Sequence, residues 1–466
     1  MTKQEAVIKY IEDNYLQFSS LRHDVISDKL QVRVAHTIGD EAIRREAMRQ
    51  EQWREMTKHD INSIVCHCAQ ECDVNITSRE VMTALQSDLI PDVHPLREYV
   101  LSCREWTPDH PDWLDFVASQ VKVRESASSG VLISPEGSND YSQANFQELR
   151  SSGVTSEQVQ SATEPSELSE PPTSGSSADR LWRACFKKWF VAMVASWMHD
   201  DIVNHQVLVL IGKQGIFKTT WLERLIPPHL RAYTCKLANS SDLNKDERLR
   251  IAEFGLISLD EIDSMNNREL NQLKSVITAT DVNERAAYAY TKERRIRLAS
   301  FCASGNRRDF LTDITGNRRW LPFEVESIQN PFHTQLPYEQ MYAQAWALAQ
   351  DPFFSYWFDL DEIEVLEQHN QHFRDQSNEE QLLDVYFAVP PTDATNAKFL
   401  TTAEISERLI YYGNIKKPMT LSRLGVLLSQ KGFLSVRRGN PSRRGWIIYE
   451  RESQEVNAER AILSKH

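Results

Sequence analysis

The chain lacks any uninterrupted apolar stretch long enough to cross a membrane. Its most apolar long segment, 181–198, is broken by Arg183, Lys187 and Lys188, so it falls short of the roughly 18 apolar residues that a span needs. The N-terminus, MTKQEAVIKYIEDNY, mixes acids with bases and lacks the apolar block of a signal peptide. Both absences predict a cytoplasmic protein with no membrane partner.

The chain also lacks the even set of cysteines that a disulfide framework needs. Its seven cysteines are an odd number in a chain without a secretion signal, which predicts reduced thiols. The cluster 66–72, CHCAQEC, offers metal-binding side chains, but its C-x-C-x3-C spacing matches no common zinc site and lies in a segment predicted to be helical. We therefore interpret these cysteines as thiols buried in a helix.

Acidic residues outnumber basic ones overall, and the basic residues are densest in two stretches. The formal net charge is −13, which speaks against a protein that coats nucleic acid with its whole surface. However, 285–319 carries nine Arg or Lys against three Asp or Glu, and 416–450 carries eight against one. Acidic residues are concentrated elsewhere, since 359–384 has nine acids and one base. The two basic stretches are candidates for nucleic-acid contact.

Composition and pattern divide the 466 residues into several parts, as a length of this size predicts. An apolar run at 207–211 is typical of a strand buried on both faces, and further strands are predicted at 255–259 and 296–303 with helices between them, which indicates an α/β domain. The predicted parts are an N-terminal helical domain (1–123), a disordered linker rich in Ser, Glu and Pro (124–178), the α/β domain (179–345), an acidic helical connector (346–390), a winged-helix-like domain (391–455) and a tail (456–466).

A phosphate-binding loop is the central candidate site. Residues 212–220, GKQGIFKTT, follow the apolar run and precede an amphipathic helix; main-chain N–H groups of such a loop bind phosphate, Lys218 would neutralise the β and γ phosphates, and Thr219 would bind Mg2+. Phe217 stands where the consensus has glycine. The alternative is a strand, turn and helix with an incidental lysine. The predicted ATP-binding residues are Gly212, Gln214, Gly215, Lys218, Thr219 and Thr220.

Polar side chains follow the two later strands. Asp260 and Glu261 end the second strand, and ligand sites of open α/β sheets form at that edge. Asp260 would help hold Mg2+ and Glu261 would deprotonate the attacking water, which favours an ATPase over a kinase; the alternative is a pair of solvated acids. Asn306 follows the third strand and would sense the γ-phosphate or position water.

Two arginines follow Asn306 in GNRRWLPF. Arg318 or Arg319 would stabilise transition-state charge at the γ-phosphate of a neighbouring subunit, which would make hydrolysis depend on an assembled ring. The alternative is a solvated pair beside an edge strand. Near the C-terminus, two helical patterns and a basic hairpin favour a winged helix that binds duplex DNA or braces a ring. Its candidate DNA-binding residues are Arg437, Arg438, Arg443 and Arg444.

The order of these motifs resembles the virulence-associated protein E family, relatives of the superfamily 3 helicases and of the helicase part of viral and plasmid primase-helicases. The resemblance implies an AAA+-like P-loop ATPase core that forms a ring, usually a hexamer, encoded on phages, integrated elements or genomic islands. It also implies Walker A at Lys218 and Thr219, Walker B at Asp260 and Glu261, and sensor 1 at Asn306. The blocks that carry it are HPLR (94–97), LIGKQGIFKTTW, LDEID, NQLK (271–274), NERAAY (283–288), FCASGN and FLTDITGNRRWLPFEV.

The resemblance further implies a hairpin before sensor 1 that enters the ring channel and grips single-stranded DNA. Its segment here is 288–295, in which aromatic faces would stack on bases and cations would pair with phosphates. A solvated surface hairpin would look similar. The candidate residues are Tyr288, Tyr290, Lys292, Arg294 and Arg295.

Together these features predict an ATP- and Mg2+-dependent ring helicase or translocase that acts on single-stranded or forked DNA during replication of a mobile element or phage. No paired-carboxylate primase centre is recognisable before residue 123, so we expect no polymerising activity from this chain and a separate primase or initiator as partner. The alternative functions are a nucleotide-switched regulatory or anti-phage ATPase without processive unwinding, and a binding module whose loop has lost its nucleotide.

Overall fold

The computed structural model divides the chain into two compact units. The first comprises Met1–Arg308 and Arg318–His372, and the second comprises Asp309–Asn317 and Phe373–His466. Among the residues that the structure describes, no helix is both long and apolar enough to cross a bilayer. The described residues are 3–15, 20–33, 53–72, 75–125, 176–238, 245–284, 293–311, 317–390, 396–439 and 442–463.

The N-terminal part of the first unit contains a β-sheet, so the prediction of a helical domain at 1–123 is wrong in this respect. The strands are short and mostly polar, and apart from Leu21–Asp24 each buries at most one residue, so the alternation in sequence is too weak to predict them. In spatial order they are β3 (Trp53–Glu55), β2 (Lys29–Arg33), β1 (Leu21–Asp24) and β4 (Asp92–Val93).

Helices cover this small sheet and share a core with it. That core includes Ile11, Leu21, Ile64 and Val81. Thr77 and Glu80 form a capping box, because the Thr77 side chain accepts from the main chain of Glu80 while the Glu80 carboxylate accepts from Thr77. The helices are α1 (Lys3–Asn14), α2 (Lys58–Cys72), α3 (Ser78–Leu85), α4 (Pro95–Ser102) and α5 (Trp113–Ala118).

Five parallel strands and one antiparallel edge strand form the main sheet of the first unit. The predicted strand at 207–211 is confirmed, with all five residues buried, as expected for a central strand covered on both faces. The edge strand comes from residues ahead of the predicted linker. In spatial order the strands are β5 (Val121–Val123), β12 (Trp320–Ile328), β6 (Val207–Ile211), β11 (Ser300–Gly305), β8 (Leu256–Asp260) and β7 (Thr234–Ala238).

The prediction of one strand over 296–303 is corrected by a break. The chain forms β10 (Glu293–Ile296), which pairs with β9 (Asp281–Glu284) as a hairpin, and then β11. Between them the buried Arg297 donates to main-chain oxygens of Ala299 at 3.0 Å and Asn204 at 2.8 Å. This arginine ties the base of the hairpin to the start of β11.

Aromatic side chains anchor the long helix α6 (Ser177–Met198) to the sheet. The indole N–H of Trp189 donates to the Phe301 carbonyl and that of Trp197 to the Gly255 carbonyl, both at 3.1 Å, so these buried polar groups are satisfied. The other helices of this part are α7 (Lys218–Glu223), α8 (Lys245–Glu253), α9 (Asn267–Thr278), α10 (Tyr338–Gln350) and α11 (Leu360–Asn370).

The second unit is built from helices and a small antiparallel sheet around its own core. Its central part follows the order strand, helix, helix, strand, strand. The predicted tail at 456–466 is wrong in part, because 456–463 belong to a helix. The elements are α12 (Asn378–Tyr386), β13 (Phe387–Ala388), β14 (Lys398–Leu400), α13 (Thr402–Gly413), α14 (Leu421–Gln430), β15 (Leu434–Arg438), β16 (Arg443–Glu450) and α15 (Ser453–Leu463). Most of the predicted linker, 126–175, lies outside the described residues.

Candidate functional site

The loop 212–217 joins β6 to α7 at the carboxyl edge of the parallel strands. Gly212 is required by space, because a Cβ there would lie 2.7 Å from the Val325 carbonyl oxygen. Gly215 has φ of +85°, a backbone conformation that glycine adopts without strain. Gln214 is exposed and Thr220 is partly buried in α7. The loop therefore has the strand, turn and helix context that phosphate binding needs.

Lys218 is buried and lies across the loop. Its ammonium donates to the carbonyl oxygens of Gly212 at 2.7 Å and Lys213 at 2.8 Å, and to Asn306 Oδ1 at 3.2 Å. Burial lowers the pKa of Lys218, and the charges of Asp263 and Asp260 partly offset this. A buried cation held by weak neutral acceptors is prepared to receive an anion.

A cluster of oxygens lies beside the lysine. The Thr219 hydroxyl donates to Asp260 Oδ1 at 3.3 Å and lies 2.9 Å from the Ser304 hydroxyl, which itself donates to the same carboxylate oxygen at 2.7 Å. Hydroxyl and carboxylate oxygens are the ligands that Mg2+ accepts, usually together with phosphates and water. Sequence reasoning missed Ser304 as a site residue, although it is the first residue of the SGN motif.

Asp263 is a second residue that sequence reasoning missed. Its carboxylate accepts from the main-chain N–H groups of Asn306 at 3.2 Å and Arg307 at 3.1 Å, so it fixes the turn that carries the exposed Asn306 side chain. The LDEID block contained the signal, because Asp263 is a third acid behind the same strand. Glu261 is exposed and has φ of 53°, a left-handed backbone conformation directly after the end of β8.

Phe217 has an unusual backbone conformation. Its φ is 67°, which for a residue with a Cβ costs about 1–2 kcal/mol. This is the physical reason why glycine suits this position of the loop. The Phe217 ring meets Phe332 edge to face, with centroids 6.1 Å apart. The added side chain therefore lies against another aromatic ring.

Arg318 and Arg319 lie at the other end of the sheet from the loop. Both belong to a short 3-10 helix, Asn317–Arg319, which leads into β12, and the first residue of β12, Trp320, pairs with the first residue of β6, Val207. The length of β6 then separates them from the loop by about 13 Å along the strand. Arg318 is exposed, and burial, followed by the charge of Arg318, lowers the pKa of Arg319. Within one chain, neither arginine lies near Lys218.

The predicted channel hairpin is described only at its base. Tyr288, Tyr290 and Lys292 lie outside the described residues. The Arg294 side chain is 74% exposed and donates to Asp281. Arg295 is 20% exposed and lies 3.6 Å from Asp28 of the β1–β2 turn and 3.5 Å from Glu253, so it faces carboxylates of its own chain.

The basic hairpin of the second unit brings like charges together. Arg437 pairs directly across the strands with Arg444, and Arg438 pairs with Arg443. Like charges in such positions destabilise a hairpin. All four are exposed, and Arg444 donates to Ser435 Oγ at 2.9 Å. The arrangement is a positively charged ridge that suits a polyanion.

The described part of the chain thus gathers a loop, a lysine, an oxygen cluster and an amide at one sheet edge. A family model for the virulence-associated protein E-like domain matches 170–375. Residues 170–375 form a virulence-associated protein E-like domain. This confirms the resemblance predicted from the motifs. The virulence-associated protein E-like domain contains the loop, the oxygen cluster, Asn306 and both arginines, whereas the basic hairpin at 434–450 lies beyond it.

Three solved structures that are similar to the chain share 10% sequence identity with it. The apo structure of the NrS-1 C-terminal region (305–718) shares 10% identity, covers 96% of this chain and 100% of that chain, and has a TM-score of 0.39. One A form apo structure of the same region shares 10% identity, covers 92% of this chain and 96% of that chain, and has a TM-score of 0.34. A second A form apo structure also shares 10% identity, covers 93% of this chain and 98% of that chain, and has a TM-score of 0.38. No curated protein matches the chain.

Proposed function

We propose that the chain is an ATP-dependent ring helicase or translocase that acts on DNA in the replication of a mobile element or phage. The observation that supports this most is the meeting of Lys218, Asn306, Thr219 and Asp260 at one sheet edge. Lys218 Nζ lies 3.2 Å from Asn306 Oδ1, and Thr219 Oγ1 lies 3.3 Å from Asp260 Oδ1. Lys218 and Thr219 lie on α7, Asp260 ends β8 and Asn306 follows β11, and ligand sites of α/β sheets form at this edge.

The chain's own groups account for nucleotide binding. Phosphate oxygens would replace the carbonyl oxygens of Gly212 and Lys213 as acceptors for Lys218, and main-chain N–H groups of the loop and of α7 would donate to them. Mg2+ would be held by Thr219 and Asp260 together with phosphate oxygens, which fits an all-oxygen cluster with few protein ligands. When bound, Mg2+ neutralises charge on the transferring phosphate.

Hydrolysis requires groups from two subunits in this proposal. Glu261 is exposed at the nucleotide edge and would act as the general base for water. Arg318 and Arg319, at the opposite end of the sheet, would serve the nucleotide of the next subunit. A closed head-to-tail ring places each arginine pair at a neighbour's loop, and we propose a hexamer.

DNA would be held by two basic regions in this proposal. The hairpin carried by β9 and β10 would contact single-stranded or forked DNA in the ring, with Arg294 as its exposed described residue. The Arg437–Arg444 and Arg438–Arg443 ridge would bind duplex phosphates. A separate primase or initiator would supply the start of replication.

The test is ATP hydrolysis by the full chain with and without single-stranded DNA. We expect DNA to stimulate the wild-type rate, Lys218→Ala to abolish both ATP binding and hydrolysis, and Glu261→Gln to keep ATP binding while lowering the rate by about 100- to 10,000-fold, the usual contribution of a general base. Lys122→Ala, which removes an exposed lysine of β5 that pairs with Glu326 of β12, is the matched control.

Two outcomes would contradict this proposal, and a third would favour the nucleotide-switched regulator. Wild-type protein without ATPase activity in the presence of DNA would exclude a motor. If Glu261→Gln hydrolysed ATP at the wild-type rate, the carboxylate would not be the base. If Glu261→Gln protein supported replication of the element in cells as well as wild type while Lys218→Ala did not, the nucleotide-switched regulator would be favoured, because a switch needs Lys218 but not Glu261.

A further inference from the structure

Phe217 keeps a strained backbone at a position where glycine would relieve the strain. The residue has φ of 67° and directly precedes Lys218. Strained conformations that persist next to a binding loop point to a role for the residue that imposes them. The only thing that phenylalanine adds over glycine is its side chain, and that ring lies at 80° to Phe332. The aromatic pair is therefore the feature to be explained.

Phe332 lies at the same sheet edge as the loop. It follows β12, which runs parallel to β6, passes Gly212 at Val325 and ends at Ile328, so the turn after β12 lies beyond the same edge as the loop. This turn has internal support: the Phe332 N–H donates to Asn330 Oδ1 at 3.0 Å, and Arg224 donates to the Thr334 carbonyl at 3.1 Å. Nevertheless, Phe332 is 70% exposed.

A cation lies near the second aromatic ring. The Arg224 guanidinium is 6.0 Å from the Phe332 centroid. Both residues line a cavity of about 230 Å³ that also includes Thr220 of α7. An exposed, supported phenylalanine next to a phosphate-binding loop offers an open π face to a ligand that carries both phosphate and a planar ring. A nucleotide is that ligand.

We propose that Phe332, backed by Phe217, is the surface on which the base of the bound nucleotide stacks. The inference rests on the proposed ATP site, since the phosphates at Lys218 place the base beside the loop. Stacking uses the π face and not the exocyclic groups, so it tolerates any base. The pair therefore contributes affinity for nucleoside triphosphates without selecting ATP over GTP.

The experiment compares MgATP, MgGTP and inorganic tripolyphosphate with Mg2+ as ligands of the full chain, by calorimetry. Phe332→Ala should weaken ATP and GTP alike by about 5- to 140-fold, the range for loss of one base–aromatic stack, and should leave the tripolyphosphate Kd unchanged. Phe332→Trp should restore the nucleotide Kd. Phe353→Ala, which truncates another phenylalanine of the same unit that is 66% exposed, is the matched control.

Different outcomes of this experiment distinguish a failure of the stacking surface from a failure of the proposed ATP site. If Phe332→Ala changes the ATP Kd by less than twofold, or weakens tripolyphosphate as much as ATP, the stacking surface is wrong while the loop stands. If wild-type protein binds neither ATP nor tripolyphosphate, or Lys218→Ala binds both as well as wild type, the ATP site itself is wrong, and the inference falls with it.

Discussion

Asp260 is the residue around which the candidate metal site is organised. Its Oδ1 accepts from the Thr219 hydroxyl, the Ser304 hydroxyl and the Glu261 main-chain N–H. Three donors on one carboxylate oxygen fix its orientation before any ligand arrives, and such preorganisation is what a metal or transition-state site requires. Ser304 is therefore a positioning residue for Asp260 and Thr219.

Ser304→Ala should weaken the use of Mg2+ more than the binding of ATP. The variant removes a hydrogen bond to a charged group, which contributes about 1.5–3 kcal/mol, so the Mg2+ concentration for half-maximal ATPase should rise about tenfold or more. ATP affinity measured in EDTA should stay unchanged. A Mg2+ titration of the ATPase rate provides the measurement.

Ser196→Ala is the control for that substitution. Ser196 is also buried, and its hydroxyl donates to the Met193 carbonyl within α6, so the same chemical change occurs away from the loop. Equal Mg2+ dependence in the Ser304→Ala and wild-type proteins would show that Ser304 does not position the site.

The sequence predicted most single residues of this edge but not the bonds between them. Lys218, Asp260 and Asn306 could be found because each directly follows an apolar strand or lies in a recognisable loop. Ser304 and Asp263 could not, because serine inside a buried strand and an acid in a turn have many uses. The position of Ser304 at the site depends on the register that pairs it with Leu210 across β11 and β6.

At the scale of elements, the order of the strands brings the site together. β6 lies between β12 and β11, and β8 lies next to β11, so the loop, Asn306 and Asp260 share an edge. Apolar runs predicted β6 and β8. The break between β10 and β11 escaped prediction because the main-chain partner of Arg297 at Asn204 is 93 residues away, and local periodicity carries no trace of such a contact.

The arginine ridge on β15 and β16 leads to a prediction with two readouts of opposite sign. The double variant Arg437→Gln, Arg443→Gln removes one charge from each cross-strand pair and keeps the Arg444 bond to Ser435. Thermal stability of the second unit should rise slightly, because like-charge repulsion is relieved. Duplex DNA affinity should fall equally for all sequences, and the slope of log K against log salt should decrease by about two.

Arg451→Gln is the control for the ridge. Arg451 directly follows β16 and pairs with Glu459 at 2.9 Å, so its charge is already balanced. This variant should keep the wild-type salt slope. A double variant of the ridge with an unchanged salt slope would show that the ridge does not touch phosphates, and a lower stability would show that its charges are compensated.

At the scale of the whole molecule, the positions of the candidate site residues favour assembly. Basic residues are densest in 285–319 and 416–450 although the net charge is −13, which suits contact with DNA at these two stretches. Lys218 and the Arg318–Arg319 pair lie at opposite ends of one sheet. One chain therefore carries the proposed nucleotide-binding loop at one end and cations at the other, and the proposed site is complete only between two copies.

The most direct test of this account is a mixing experiment with two inactive variants. Lys218→Ala lacks a working loop, and the double variant Arg318→Ala, Arg319→Ala lacks the cations. Each should be inactive alone in DNA-stimulated ATP hydrolysis. Mixed in equal amounts, they should recover up to about a quarter of the wild-type rate, because that share of random interfaces joins an intact loop to intact arginines. Mixtures as inactive as the separate variants, or full activity of the arginine variant alone, would contradict the intersubunit site.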